Sequence, residues 1–434
     1  MSVFRSLCSP RSFCRWAMPA LALMFVAAPA WPAAPVSFDE AIRLAVERAP
    51  ALQARRAQAE AAREDAARAS ALPDPRLTLG LINVPITGTD AFDLHADDMT
   101  MQQVGVMQEF PARAKRQARQ RVADRMIEQA QALTAAEHVA VRQAAAQAWL
   151  ALWAAQREVG ALQAQREQSA LAIRIAKARL AGGTGTAADA LTTAAAALEL
   201  DNRIDAAETT VEVARSALAR WLGTGSDALT TEGAPPELTV LPISDATLLA
   251  SVHQQGPLLA WPSRESVAEA SVAAAIAEKR PDWSMSAMYG QRERTPGGLP
   301  RSDMLTMEFS IGLPLFARNR QDRGIAARRA ELEMIAAEHE DARRMQVEAV
   351  RRGLAEWNGL KRQVARREQD MLPLAQDRSQ VALAAYRGGG PLQPWLDARR
   401  DALELHIEHA RHLGELGRAW AALAYLLPNE ETPP

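Results

Sequence analysis

Cysteine is almost missing from this chain: Cys8 and Cys14 are its only two, and both stand close to the N-terminus. The rest of the chain can therefore form no disulfide and no thiolate metal site. Aromatic residues make up 5% of the sequence while alanine is abundant, which favours long packed helices over sheets. Beyond residue 34 no run of about 18 apolar residues occurs, so no helix is expected to span a bilayer. A membrane segment here has to be a β-barrel. Charge of either sign is not in excess; the net charge is −2, and nucleic acid is not indicated as a partner. No phosphate-binding loop, nucleophile elbow or paired metal-ligand motif is present. The chain is expected to be no enzyme and to need no cofactor, so energy for any transport must come from partners.

The N-terminus reads as an export signal over residues 1–34. Arg5, Arg11 and Arg15 form a basic segment, Ala17 to Ala30 a short apolar one, and Ala28-Pro29-Ala30 an A-x-A cleavage pattern. Both cysteines leave with it.

Proline and glycine are absent where helices must be long. From Ala112 to Ala181 there is no proline and one glycine, Gly160, in a run of strong helix formers. As one helix this stretch would reach roughly 100 Å. Before it, Ser37-Phe38-Asp39-Glu40 reads as a capping box opening a short helix that Pro50 interrupts. A second helix runs to about Leu72, and Pro73-Asp74-Pro75 ends it. Strands are expected at about 76–83 and 100–110 around a polar loop, then the long helix 112–181. Gly182, Gly183 and Gly185 break that helix before another at 187–222.

The same order then returns. Pro257 is placed like Pro50, Pro281-Asp282 like Pro73-Asp74, and Pro314 like Pro111. Gly388-Gly389-Gly390 matches Gly182-Gly183, and Leu403-Glu404-Leu405 matches Leu198-Glu199-Leu200. So many matches in one order, at offsets of about 205 residues, are an internal duplication. The expected organisation is a first repeat at 35–223, a linker at 224–243, a second repeat at 244–428 and a tail at 429–434. The second repeat has strands at about 283–290 and 304–313, a long helix at 318–386 and a helix at 392–427. In the first half, helices 51–72 and 187–222 together match the long helix in length, so they can stack end to end beside it.

The strands alternate. Leu77, Leu79 and Leu81 share one face, as do Trp283, Met285 and Tyr289, and Leu305, Met307, Phe309, Ile311 and Leu313. Alternation with aromatics near the ends fits a lipid-facing barrel wall, although a half-buried soluble strand looks the same. Four strands cannot close a barrel, for which about eight are the practical minimum. A membrane barrel then requires a cyclic oligomer.

At these residues the chain resembles the TolC-type outer-membrane efflux factors. The resemblance covers the whole chain after the signal, through FDEAIRLAVERAPAL at 38–52, ALPDPRLTLG at 71–80, GLPLFARNRQ at 312–321 and the segments GGTGTAADAL and YRGGGPLQPWLDA. Within that family NVPITG and MTMQQVGVMQEFPARAKRQAR look closest to the heavy-metal branch of cobalt–zinc–cadmium and copper–silver exporters. The resemblance implies a mainly α fold with a membrane β-barrel: a homotrimer sharing a twelve-stranded barrel and a twelve-helix periplasmic tunnel. It implies the outer membrane of a Gram-negative bacterium, and a passive duct fed by a periplasmic membrane-fusion adaptor and an inner-membrane RND pump. It also implies that the glycine turns meet the adaptor. Asp189, Asp397, Arg399, Arg400 and Asp401 are its entrance candidates, with Pro394 standing where relatives often carry another acid. The competing readings of these residues are plain helix caps and solvated faces. A multidrug duct of the same family is the alternative cargo reading, and a soluble periplasmic coiled-coil scaffold the alternative class.

Three further clusters invite other readings. His406, His409 and His412 are spaced by three, but the third turns away from the first two and no ligand frame accompanies them, so no metal site is assigned. The methionines near the strands suit soft metals. Alternation divides them, with Met285 and Met307 on the lipid face and Met288 and Met304 on the other, so packing is favoured. Arg113, Lys115, Arg116 and Arg119 open the long helix, echoed by Arg318, Arg320 and Arg323. Positive charge there opposes the helix dipole, so a compensating partner is expected, lipid headgroups or solvent.

Overall fold

The computed structural model describes residues 35–223, 225, 229–295 and 297–428; the export signal and the tail at 429–434 lie outside the described residues. The first half runs α1 (Phe38–Arg48), α2 (Pro50–Ala69), β1 (Arg76–Ile82), β2 (Met101–Phe110), α3 (Arg113–Ala181) and α4 (Ala187–Leu222). The second runs α5 (Asp245–Ala250), α6 (Trp261–Ala277), β3 (Trp283–Gln291), β4 (Met304–Ile311), α7 (Gln321–Arg366), α8 (Leu372–Arg387) and α9 (Gln393–Ala424).

Helix α3 is unbroken over 69 residues. Both α2 and α4 pack along it, towards the strand end and the glycine-turn end respectively, with α1 bridging α3 and α4. On its other side α3 meets α6 and α9, which brings the two halves together. Among the described residues no helix is long and apolar enough to cross a membrane.

Several helix boundaries differ from the sequence expectation, each for a local reason. The second long helix is not continuous over 318–386. It starts at Gln321, after a 3₁₀ turn at Ala317–Asn319, and a π-helical turn at Arg367–Met371 separates α7 from α8. Pro373 follows that turn. It has no N–H to give the carbonyl four residues back, and its ring crowds that carbonyl; a widened turn relieves both. Helix α3 carries no proline and stays whole. At the N-terminus only half of the expected capping box forms. The Ser37 hydroxyl accepts from the Glu40 N–H at 3.3 Å, but the Glu40 carboxylate is taken by Arg43 at 2.6 Å. A complete box stands instead at the start of α4, between Thr186 and Asp189.

The main core lies mid-shaft, where Phe38 meets the edge of Trp149 at 5.3 Å and approaches Trp420 at 6.1 Å. Three indoles hold backbone carbonyls here. Trp149 donates to Val36 at 2.8 Å, Trp357 to Leu238 at 2.9 Å and Trp420 to Val240 at 2.8 Å. The segment read as a linker is therefore tied to the shaft, with Leu229 and Leu238 buried. Trp149 is fully buried and also bonded. Trp149→Ala is expected to cost about 3–5 kcal/mol, read as a lower denaturant midpoint of the detergent-solubilised protein. An unchanged midpoint would remove this girdle from the account of stability.

The strands form one antiparallel sheet in the order β1-β2-β3-β4, with β2 and β3 pairing across the two halves. Leu79 stands opposite Val104, Val104 opposite Tyr289, and Tyr289 opposite Leu305. By this register Leu77, Leu79, Leu81, Trp283, Met285, Tyr289, Leu305, Met307, Phe309 and Ile311 share a face. Leu313, expected in the fourth strand, lies past its end at Ile311.

Candidate functional site

Two places carry chemistry beyond packing: the strand-to-helix junction and the glycine-turn end of the shaft. At the junction, α3 begins without acidic residues in its first turn. The partner its dipole and cations call for comes from the other half of the chain. Asp282, just before β3, accepts from the Ala112 N–H at 2.8 Å and the Lys115 ammonium at 2.7 Å. Glu278 completes the cluster, 3.3 Å from Lys115 and 3.6 Å from Arg119. Arg116 donates to the Ser70 carbonyl at 3.4 Å. Burial pushes the Asp282 carboxyl up, but the Lys115 ammonium and the Ala112 N–H outweigh it and hold it below the ordinary value. Lipid headgroups and solvent are not the partners of Lys115; carboxylates are.

On the sheet's second face stand Arg76, Glu109 and Glu308 with Thr78, Ser284, Ser286 and Ser310. Arg76 and Glu109 pair at 3.3 Å. Met101, Met107, Met288 and Met304 share this face. Met288 occupies the space a Cβ on Gly105 would need, and the Met101 sulfur that of a Cβ on Gly290. These two methionines fill gaps left by cross-strand glycines, a packing role that suits the flexible thioether.

At the far end the two halves make the same turn. The Gly182 N–H donates to Ala178 at 2.9 Å and the Gly388 N–H to Ala384 at 3.0 Å. Gly183 and Gly389 follow at φ +70° and +99°, which a side chain rarely adopts. Gly390 comes next in one turn, and Gly185, after Thr184, in the other, each so near the preceding helix that a Cβ would collide at 2.9 Å. Arg179 links the turns: it donates to the Tyr386 and Gly390 carbonyls at 2.9 and 3.2 Å and to Thr184 at 3.3 Å. Its guanidinium lies over the Tyr386 ring at 4.5 Å, and that ring stacks on Trp395 at 5.7 Å. Neither Arg179 nor this aromatic pair stands out by residue type alone. The signal in the sequence was two aromatics beside a glycine run in an aromatic-poor chain.

The entrance candidates are only partly brought together. Asp397 accepts from Gln393 at 2.9 Å and lies 3.8 Å from Arg400. Asp401 is 3.0 Å from Arg378 and 3.6 Å from Arg400. Asp189 sits on the other hairpin, where it caps its own helix through Thr186. Arg399 turns into the protomer, buried between α9 and α3, and donates to the Gln165 carbonyl at 3.2 Å. Burial moves its pKa down.

Further along α9, His412 bonds the Glu408 carbonyl of its own helix at 2.7 Å, and His409 faces Glu368 at 3.5 Å. Among the described residues no group of three His, Cys, Asp or Glu is placed to hold a metal. Burial, with Arg157, His406, Arg367 and His412 adding to it, pulls the His409 pKa down to about 4.

A four-stranded sheet with one largely apolar face thus stands at one end of a long shaft, and a locked pair of glycine turns at the other. The profile of the outer membrane efflux protein family matches residues 41–224 and 257–428, and the chain belongs to that family. Membership places it in the outer membrane, extending into the periplasm, as an efflux duct. No curated protein matches the sequence. Among solved structures the chain is similar to a membrane protein from Pseudomonas aeruginosa, with a TM-score of 0.74 at 16% identity, covering 89% of this chain and 92% of that one. It is also similar to CusC, with a TM-score of 0.73 at 15% identity, covering 90% and 92%. The outer membrane protein VceC from Vibrio cholerae gives a TM-score of 0.70 at 17% identity, covering 90% and 97%. At these identities the likeness shows a shared fold.

Two outcomes are expected from this geometry. Arg179→Ala removes charge-assisted bonds, each worth about 1.5–3 kcal/mol. Amide exchange at Gly388, Gly389 and Gly390 should then accelerate roughly ten- to a hundredfold, with Arg179→Lys recovering little of it; unchanged exchange would show that the turns hold without Arg179. His409 should make the fold lose stability as pH falls from 6.5 towards 4, because unfolded chains take up a proton that the folded ring refuses. His409→Gln should flatten that part of the stability–pH curve, and an unaltered slope would remove His409 as its source.

Proposed function

We propose that the chain is the outer-membrane component of a tripartite efflux system, a passive homotrimeric duct that passes heavy-metal cations from an RND-type inner-membrane pump to the outside. Three copies together supply a twelve-stranded barrel and a twelve-helix tunnel. The observation that carries the reading is the sheet: one face, apolar on all four strands but for Gln102, Gln108 and Gln291, standing at the end of a shaft about 100 Å long. Strands of 7 to 10 residues, tilted, are close to what crosses a hydrocarbon core, about 9–11 residues at 45°. Leu77, Leu79, Leu81, Trp283, Met285, Tyr289, Leu305, Met307, Phe309 and Ile311 form the lipid face, continued by Leu313.

The exposed glycine turns, Gly182–Gly185 and Gly388–Gly390, are the surface for the periplasmic adaptor, held at a fixed spacing by Arg179. Asp397 and Asp401, with Arg400 between them, and Asp189 on the neighbouring hairpin, lie beside those turns and line the entrance. Arg399 supports that wall from within by bonding α9 to α3. The metal cargo rests on the likeness of residues 83–88 and 99–119 to the heavy-metal branch. A passive duct needs no binding site for its cargo, because the pump selects it.

A strain lacking the chain should grow normally without metal and lose tolerance to one of cobalt, zinc, cadmium, copper or silver by several-fold in inhibitory concentration. Its tolerance of lipophilic drugs should be unchanged. Sensitivity to drugs alone would replace the metal cargo with a small-molecule one. Recovery of the protein as a soluble monomer would overturn the duct itself.

A further inference from the structure

The duplication fixes more than the order of elements. Each contact that joins the first half to the second within the chain has a counterpart that the chain cannot make with itself. Positions in the sheet correspond when counted from Pro73 and Pro281 before each first strand, and from Pro111 and Pro314 after each second strand. On that count the pair Val106–Ala287, which joins β2 to β3, corresponds to Phe309 on β4 and Leu79 on β1. Those two strands are the opposite, unpaired edges of the sheet. Gln108–Met285 likewise corresponds to Ile311 and Leu77, and Phe110–Trp283 to Leu313 and Pro75. Every corresponding residue falls on the apolar face, as it must if the register is right.

The ionic clasp repeats in the same way. Lys115, which is buried against Asp282, corresponds to Arg318, and Asp282 corresponds to Asp74. Arg318 and Asp74 are both exposed, and among the described residues neither has an ion-pair partner. Helix packing carries a third copy of the argument. Leu403 of α9 is 9% exposed, packed with Leu162 of α3; its counterpart on α4, Leu198, is 66% exposed. Leu396 of α9 packs into the Tyr386–Trp395 core while its counterpart Leu191 is 72% exposed. On the opposite edge, Val381 of α8 is 69% exposed, whereas Ile175 at the matching place in α3 packs against that core.

We infer that a second copy of this chain covers the β4–α7–α8 edge with its own β1–α2–α4 edge, in the register that the β2–β3 junction already shows. Phe309 stands opposite Leu79 of the next copy, Ile311 opposite Leu77, and Arg318 clasps Asp74. Leu191 of that next copy packs onto α8 near Val381, and its Leu198 lies further along, at the π turn between α7 and α8. The inference rests on the ring-forming duct and adds which residues meet.

The position of β1 and β4 at opposite edges makes the test clean, because a link between them within one chain would have to cross two intervening strands. Residues 35–434 contain no cysteine, so introduced pairs are the only thiols once the signal is gone. In outer-membrane fractions, Leu79→Cys with Phe309→Cys should give linked trimers on oxidation or with a short thiol crosslinker. Leu81→Cys with Phe309→Cys, shifted by two residues on the same face, should link at least several-fold less. Asp74→Arg or Arg318→Asp alone should lower the yield of heat-resistant trimers several-fold, and the double reversal should restore it. Trimers that link better through the shifted pair, or charge reversals that do not rescue one another, would overturn this register while leaving the duct intact. A protein that stays monomeric in mild detergent would overturn the duct as well.

Discussion

In hydrocarbon an unpaired backbone N–H or C=O costs several kcal/mol, and that penalty governs this molecule. One chain offers four strands, with one row of unpaired groups along β1 and another along β4. Both edge strands are exposed on both faces and largely apolar on one, and on that apolar face neither carries a charge that would protect the edge as in soluble proteins. An open sheet of this kind is stable in neither solvent. On the proposed homotrimer, closing the sheet with further copies would satisfy the edges and in turn arrange the helices that follow each strand.

The strand-to-helix junction transmits that arrangement. The chain must turn from an extended strand into a helix here, leaving N–H groups of the new helix without intrahelical partners. Pro111 ends β2, and Asp282 from the other half takes the Ala112 N–H together with the Lys115 ammonium. One carboxylate thus caps α3, neutralises its basic first turn and fixes where β3 begins. Lys115 is 7% exposed and would be costly to bury without Asp282 and Glu278 beside it.

Much of this was legible in the sequence, because the informative signals are periodic or repeated. The period-two strands, the proline-free run of α3 and the paired glycine turns each follow from residue type and spacing. The recurrence of Pro-Asp before each first strand made the duplication readable. What the sequence hid depends on contacts between distant segments. Glu40 could cap its helix or pair with Arg43, and only the folded geometry decides for Arg43. Pro373 signalled an irregularity, but that a π turn absorbs it rather than a break depends on α9 packing alongside. The segment after Gly223 reads as a linker from its Gly, Pro and Thr content, and nothing local announces that Trp357 and Trp420 bond it to the shaft. Arg399 looks like one charge among several on a solvated face; its burial follows from the docking of α9 on α3.

Nearly all the cations of this chain are arginine, and their partners suggest why. Where helices stop, carbonyls are left without intrahelical donors. Arg48 donates to the last carbonyl of α4, Leu222, at 3.2 Å, and Arg215 to Leu229 in the segment that follows at 2.9 Å. Arg179 serves carbonyls in both glycine turns. A guanidinium has five donors in a plane and can answer two carbonyls while its flat face lies on an aromatic ring, as Arg179 does on Tyr386. A lysine at the same place is a single point with a tighter hydration shell. A protein made of long helices has few loops in which water can reach the orphan carbonyls between packed neighbours. Arginine supplies the missing donors from the helix alongside, so the residues that end one helix are held by the body of another.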